Sequence, residues 1–296
     1  MSRTAWTAAD IPDQSGRTFV VTGANSGLGL RAADALTAAG AHVVMGCRDT
    51  ARAEEARAGL ALGARAEVLE LDLADLDSVR AAAGALGDRR VDVLINNAGL
   101  MNIPLARTAQ GHEMQFGVNV LGHFLLTRLL EPRLTDRVVW LGSLMHRFGS
   151  IDLDDLDWTR RRYVPMTAYA ASKLACVMLA YEQQRRLDAA GSSLKAVAAH
   201  PGYSATNLQY RSGSRVQDLV MRAAERIPML VQPAERGALP ELYAATVQQV
   251  PGGAYVGPDG LGELTGHPTL VGSNAASRDR AVAAALWERC EEMTAG

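Results

Sequence analysis

The chain has 296 residues, 48% of them hydrophobic, 21% charged and 5% aromatic, with a formal net charge of -2. That balance argues against nucleic acid or an anionic membrane surface as the main partner, and the length suits one large α/β domain with a substantial core. The three cysteines, Cys47, Cys176 and Cys290, are scattered and form no CxxC pair, so they read as free thiols of a reducing compartment.

Residues 1–15 form a leader with no continuous apolar segment, which speaks against a secretory signal. No run of eighteen apolar residues occurs, so no membrane span is expected and the protein reads as cytoplasmic. From there, apolar β-like runs alternate with helical patterns. The pattern predicts strands at 18–22, 41–46, 66–71, 91–95, 137–141 and 194–199. Between them it predicts helices from Gly27 through 30–39, at 50–62, from Asp75 to Leu86, at 109–130, and at 166–189 after a charged loop over 151–162. Residues 203–231 turn polar and read as a substrate lid. A helix at 233–246, a short strand at 254–256 and a helix at 278–292 complete a single domain. Such alternation demands right-handed crossovers, hence a Rossmann-type, doubly wound parallel β-sheet with helices on both faces. Ligands of such sheets lie at the carboxyl ends of the strands.

The first strand runs into Thr22-Gly23-Ala24-Asn25-Ser26-Gly27-Leu28-Gly29. A strand that turns through glycines into a helix N-terminus offers unpaired N–H groups and partial positive charge to a phosphate. Gly23 permits the turn, Gly27 the approach of a pyrophosphate, and Gly29 close packing of helix on strand; Asn25, Ser26 and Leu28 complete the cradle. At the end of the second strand stands Cys47-Arg48-Asp49. No acid occupies the Cys47 position, where one would accept from a ribose 2′-hydroxyl. The planar fork of Arg48 suits a 2′-phosphate instead, which favours NADP(H) over NAD(H), and Asp49 fits an N-cap. Asp72 and Leu73 end the third strand, where a carboxylate can accept from an adenine amino group. Asn96-Asn97-Ala98-Gly99 closes the fourth with amides that brace the sheet and a glycine that admits the cofactor.

Tyr169 and Lys173 stand at i and i+4 of one helix and therefore on one side of it. A fixed ammonium beside a phenol favours the phenolate and eases proton exchange. Ser143 directly follows the fifth strand and can hydrogen-bond a substrate carbonyl as charge develops on it. Asn119 lies inside a helix, an unfavourable place unless its side chain has a task, so a kink holding a water is expected there. After the sixth strand, Pro201 and Gly202 turn the chain and Thr206 can reach a nicotinamide amide. His146 is a possible pocket residue. The six histidines show no metal-binding spacing, so no metal is expected.

Taken in order, Thr22-Gly23-(x)3-Gly27-x-Gly29, Asn96-Asn97-Ala98-Gly99, Asn119, Ser143, Tyr169-(x)3-Lys173 and Pro201-Gly202 resemble the short-chain dehydrogenase/reductase family. The glycine segment, Cys47-Arg48-Asp49 and Gly142-Ser143-Leu144-Met145-His146 leading into Asp154-Asp155-Leu156 are most similar to its retinol-dehydrogenase-like branch, which includes the WW-domain-oxidoreductase type. The gap of 26 positions from Ser143 to Tyr169 also fits that branch, whereas Gly142 departs from relatives that often carry a second serine.

The resemblance implies an alcohol/carbonyl oxidoreductase. NADPH delivers hydride, Tyr169 gives the proton, Ser143 polarises the carbonyl, Lys173 holds the nicotinamide ribose, and Asn119 supports a proton-conducting water. It also implies a small-molecule alcohol, ketone or aldehyde as substrate, a hydrophobic one given Leu100, Met101, Met145, Tyr203, Leu208, Met221 and Met229. Pairing of the helices at 109–130 and 166–189 would give a homodimer or homotetramer. Two rival readings stand beside it. An epimerase or dehydratase of the extended branch usually shows a Gly-xx-Gly-xx-Gly rhythm and a larger C-terminal domain. A non-catalytic dinucleotide sensor typically loses the tyrosine or the lysine.

Overall fold

Glycine turns and Asp caps divide the chain into the strand and helix units that the alternating pattern leads one to expect. The computed structural model describes residues 5–204 and 232–296. Its strands are β1 (Thr18–Thr22), β2 (His42–Cys47), β3 (Ala66–Glu70), β4 (Val91–Asn96), β5 (Leu134–Leu141), β6 (Lys195–Ala199), β7 (Tyr255–Pro258) and β8 (Pro268–Leu270). They form one eight-stranded sheet in the order β3-β2-β1-β4-β5-β6-β7-β8. β1 to β7 pair in parallel, and β8 runs antiparallel on the β7 edge. The order reverses at β1 and β4, which opens a crevice at their carboxyl ends.

The helices are α1 (Gly27–Ala38), α2 (Thr50–Ala58), α3 (Leu76–Ala85), α4 (Met114–Phe116), α5 (His123–Leu130), α6 (Pro165–Ala189), α7 (Ala234–Gly237), α8 (Leu239–Thr246) and α9 (Arg280–Thr294). A π-helical turn, Gly117–Gly122, joins α4 to α5. The central strands β1, β2 and β4 are buried along almost their whole length, as in a sheet covered on both faces, whereas β3 at the edge is partly exposed. One core gathers Val20, Leu94 and Val138 with α3, α5, α6 and α9. The other gathers Val21, Ile95 and Val139 with α1 and α8. Side-chain caps set several starts: Asp49 accepts from Arg52 N–H, as its place before α2 predicts, Asp75 caps α3 and Asp279 caps α9.

Some boundaries move. The helix expected from 109 begins at Met114, because Arg107 and Glu113 pair as a β-bridge and Glu113 then accepts from the Gln115 and Phe116 N–H groups. The helix expected over 50–62 stops at Ala58, where Gly59 takes the C-cap. The helix expected over 233–246 is two pieces meeting at Ala238. β8 had no counterpart in the pattern. The leader packs onto the domain: Trp6 stands edge-on to Tyr243 at 5.3 Å, and its carbonyl faces His267 Nδ1 at 3.0 Å. α9 lies across α5 and α6, with Trp287 packed on Phe124 and under the guanidinium groups of Arg128 and Arg186. Of the expected lid over 203–231, only Tyr203 and Ser204 fall among the described residues. Among those residues no helix is long and apolar enough to cross a membrane.

Candidate active site

The glycine segment does what its sequence requires. Gly23 sits at φ 68° and Gly27 at φ 55°, in the left-handed region that glycine tolerates. A Cβ on Gly29 would stand 2.4 Å from Asn97 Nδ2 and 2.7 Å from the Gly23 carbonyl, so only glycine lets α1 come this close to the strand ends. Ser26 holds the N-cap position with extended backbone, yet its side chain makes no capping bond, unlike Asp49, Asp75 and Asp279. The first-turn N–H groups of α1 therefore have no side-chain cap. Asn25 is half-buried beside the turn, and Leu28 is buried beneath it.

Thr22 ties this turn to β4. Its hydroxyl accepts from Asn97 N at 3.0 Å and Ala98 N at 2.9 Å, and Asn97 Nδ2 donates to its carbonyl at 2.6 Å. Gly99 borders Asn119 and Lys173: a Cβ there would lie 3.2 Å from Asn119 Oδ1 and 3.5 Å from Lys173 Nζ. At the end of β2, Cys47 is buried and Arg48 is exposed, with no hydrogen bond or ion pair to the described residues. Burial pushes the Cys47 thiol up to about 11, so it stays a neutral wall of the site. Asp72 folds back on its own loop: Oδ1 accepts from Ala74 N at 2.9 Å. Leu73 is buried, its carbonyl against Gly122 of the π turn.

Asn119 is 1% exposed. Its Oδ1 accepts from Leu100 N at 2.7 Å, and its Nδ2 donates to the Leu100 carbonyl at 3.0 Å and to Ser172 Oγ at 2.9 Å. Ser172 in turn donates to the Tyr169 carbonyl at 2.8 Å. The kink expected at Asn119 is thus a π turn whose amide clamps the segment after Gly99 and the helix that carries Tyr169 and Lys173. Plain solvent exposure of this asparagine is ruled out.

Tyr169 and Lys173 are 5% and 3% exposed, on the same side of α6. Lys173 Nζ donates to the Leu141 carbonyl at 2.8 Å, one residue before the Gly142-Ser143 turn, and lies 6.0 Å from the Tyr169 ring centroid. Its two other N–H groups have no acceptor among the described residues, and neither has the Tyr169 hydroxyl. Ser143 accepts from Met145 N at 3.2 Å, which fixes its oxygen at the mouth of β5. The long gap before Tyr169 is filled by a braced loop: Asp155 accepts from the Thr159, Arg160 and Arg161 N–H groups, and Arg161 stacks 3.8 Å from the Trp158 ring centroid. Pro201 and Gly202 follow β6, with Gly202 at φ 65°. Thr206 lies outside the described residues. Among those residues no group of His, Cys, Asp or Glu is arranged to hold a metal ion.

Two residues escaped the sequence reading. His123 lies one turn beyond Asn119. Its Nδ1 faces the Asn119 carbonyl at 3.1 Å and so carries the proton, leaving Nε2 to accept from the Thr22 hydroxyl at 2.8 Å. Burial pushes its pKa down to about 3, so it joins the glycine turn to the π turn as a neutral ring. The signal was a lone histidine four residues after Asn119 in an otherwise apolar helix. Glu241 is fully buried in α8 and neither oxygen finds a hydrogen-bond partner among the described residues; burial pushes its pKa up to about 8. His146 is buried behind Ser143, and its Nδ1 donates to the Ser143 carbonyl at 2.6 Å.

The profile described as short chain dehydrogenase matches residues 17–154. Retinol dehydrogenase 13 of Homo sapiens is 38% identical over 94% of this chain and 84% of that protein, and polyprenol dehydrogenase of Mus musculus is 38% identical over 96% and 85%. A crystal structure of an uncharacterized protein from Mycobacterium paratuberculosis superposes with a TM-score of 0.84 at 46% identity, covering 98% of each chain. A short chain dehydrogenase from Burkholderia cenocepacia J2315, in complex with NADP, superposes at 0.62 with 27% identity, covering 82% of this chain and 96% of that one. With the sheet order, the glycine turn and the buried Tyr169–Lys173 pair, these likenesses decide the matter: the chain belongs to the short-chain dehydrogenase/reductase family of oxidoreductases, in its retinol-dehydrogenase-like branch.

Proposed function

We propose that the protein interconverts a hydrophobic alcohol and its carbonyl compound with NADP(H), using Tyr169 as the acid/base. The observation that supports the reaction is that Lys173 Nζ, 6.0 Å from the Tyr169 ring centroid, donates to the carbonyl of Leu141, two residues before Ser143 at the end of β5. NADPH, when bound, supplies a hydride to the carbonyl carbon. Gly23, Gly27, Gly29 and the uncapped N–H groups of α1 receive its pyrophosphate. Asn25, Ser26, Leu28, Asp72, Leu73, Asn97, Ala98, Gly99, Pro201, Gly202 and Thr206 line its path along the strand ends. Lys173 turns its two open N–H groups to the nicotinamide ribose. Ser143 donates to the substrate oxygen, and Tyr169 passes it a proton as the C–O bond becomes single. Asn119 holds α6 and the segment after Gly99 at the spacing this transfer needs. The reverse direction returns the proton to Tyr169.

The choice of NADP(H) rests on Arg48, exposed and without an ion pair among the described residues just beyond a buried Cys47, with Asp49 occupied as a helix cap. A charge-assisted contact to a 2′-phosphate is worth about 1.5–3 kcal/mol, or roughly ten- to a hundredfold in affinity. A hydrophobic substrate is favoured by half-buried Leu100, Met101, Leu144 and Met145 around Ser143 and Gly99, and by relatives named for retinol and polyprenol, both apolar alcohols. Assembly as a homodimer or homotetramer would pair the helices over 109–130 and 166–189 with those of a second copy. The test is NADPH and NADH binding to the wild type and Arg48→Ala. Loss of roughly tenfold or more in NADPH affinity, with NADH unmoved, supports the reading. Equal affinities in the wild type, indifferent to Arg48, overturn the NADP(H) assignment.

A further inference from the structure

Behind the catalytic edge lies a second polar cluster, on the side of β6 and β7. β6 delivers His200, which is fully buried. Its ring fills the space above Gly257 of β7, where an added Cβ would stand 2.1 Å from Nε2, and it tilts against Tyr255 at 5.0 Å between centroids. Nδ1 accepts from Gly202 N at 3.2 Å, which puts the ring proton on Nε2, and Nε2 donates to Glu263 Oε2 at 3.0 Å. The other carboxylate oxygen of Glu263 accepts from Arg147 at 2.6 Å. Arg147 lies four residues after Ser143, on the short helical turn Leu144–Phe148.

Glu263 is held in a costly conformation. Its φ is 60°, in the left-handed region that a residue with a Cβ rarely adopts, and it follows Gly262 at φ 63°. The next carbonyl, of Leu264, accepts from Tyr203 N at 2.7 Å. Such strain persists where the surroundings over-determine it, and here three segments converge on one carboxylate: the turn after Ser143, the turn at Pro201–Gly202, and the strap over 260–265. The Ser143 carbonyl is separately gripped by His146 Nδ1 at 2.6 Å and the Tyr255 hydroxyl at 3.4 Å, so the turn that Arg147 anchors is the same one that aims the serine. Burial holds the His200 pKa down, and the hydrogen bond from His200 holds that of Glu263 down. The pair is therefore a neutral imidazole donating to a carboxylate, as the tautomer requires.

We propose that Glu263 is a positioning residue, whose bridge from Arg147 to His200 sets the spacing between the Ser143 turn and the Gly202 turn and so the geometry of hydride transfer. It touches neither substrate nor cofactor; it acts through the two turns. The kinetic part rests on the oxidoreductase reading above, whereas the structural part stands on its own.

The test compares Glu263→Gln, which keeps the size but loses the charge, with Arg147→Met and the double variant. Hydrogen exchange is followed at the Gly202 and Tyr203 amides, and kcat and KM are measured with NADPH and an apolar aldehyde. In Glu263→Gln, exchange at Gly202 and Tyr203 is expected to accelerate about tenfold or more at a temperature where the protein is fully folded. kcat is expected to fall about tenfold, with KM for the aldehyde changed less than about threefold. Because the two residues act as one unit, the double variant is expected to lose no more than the worse single one. Unchanged exchange at the Gly202 turn overturns the bridge itself, whatever the activity. Accelerated exchange with wild-type kcat, or kcat losses that multiply in the double variant, overturns the positioning role. If no aldehyde is turned over by the wild type, the oxidoreductase reading fails, and the exchange result still decides whether the bridge holds the turn.

Discussion

Glu241 makes the fold sensitive to pH, because its carboxyl is buried away from water. It lies in α8 one turn after Gly237, which packs against Leu28 and Ser204, and both of its oxygens are buried without a hydrogen bond to the described residues. A buried carboxyl with no partner keeps its proton, since ionisation would strand a charge in an apolar surround; the Lys173 ammonium opposes this only weakly. The group therefore ionises near 4.5 when unfolded and about 8 when folded. Between those values the folded protein binds a proton that the unfolded chain has released, so stability falls as pH rises. The slope is about 1.4 kcal/mol per pH unit, and the total approaches ~5 kcal/mol by pH 9. That is a large share of an ordinary folding free energy. Glu241→Gln removes the titration at nearly constant shape. Urea midpoints of wild type and variant at pH 5, 6, 7, 8 and 9 isolate it, because every other titrating group cancels in the difference. The curves are expected to lie close together at pH 5 and to diverge steadily up to about pH 8, the variant being the more stable. A difference independent of pH would refute the reasoning, since it would mean that the carboxyl titrates alike in both states.

Three further substitutions probe the site. Tyr169→Phe keeps the ring and removes the proton, so kcat should fall about 10²- to 10⁴-fold while the NADPH dissociation constant stays within about threefold; comparable losses in both would make the hydroxyl a binding group. Asn119→Leu strands the half-buried Leu100 N–H and carbonyl, at about 1–2 kcal/mol each, while Ser172 keeps its bond to the Tyr169 carbonyl, so a loss of about 2–4 kcal/mol in urea unfolding is expected. Gly142→Ser sets a Cβ 3.0 Å from both the Tyr255 hydroxyl and Val177 Cγ2. It should cost about 1–2 kcal/mol, read as a Tm lowered by a few degrees, because the departure from relatives with a serine here is matched by a tyrosine that fills the space.

What could be read in the sequence is what repeats or what is local. Parallel strands buried on both faces are continuous apolar runs, so β1 to β6 stood out, and Asp49 and Asp75 marked helix starts because a cap needs only its own neighbours. β8 escaped because three residues beginning with Pro268 carry no period; the strand exists only because Val256 and Pro258 of β7 offer an edge. The helix at Met114 starts late because a long-range pairing, with Tyr163 and Asp157 gripping Glu113, outweighs a helical pattern that runs on upstream. The chemistry divides in the same way. Ser143, Tyr169 and Lys173 follow from strand ends and helical spacing, but their supports do not. His123 meets Thr22 across a hundred residues of chain, and Glu263 joins Arg147 to His200 from a segment with no periodic signal at all. Residues that do chemistry must sit at fixed places in a motif. Residues that hold them in place need only reach the right atom, and any segment the fold brings near can supply one.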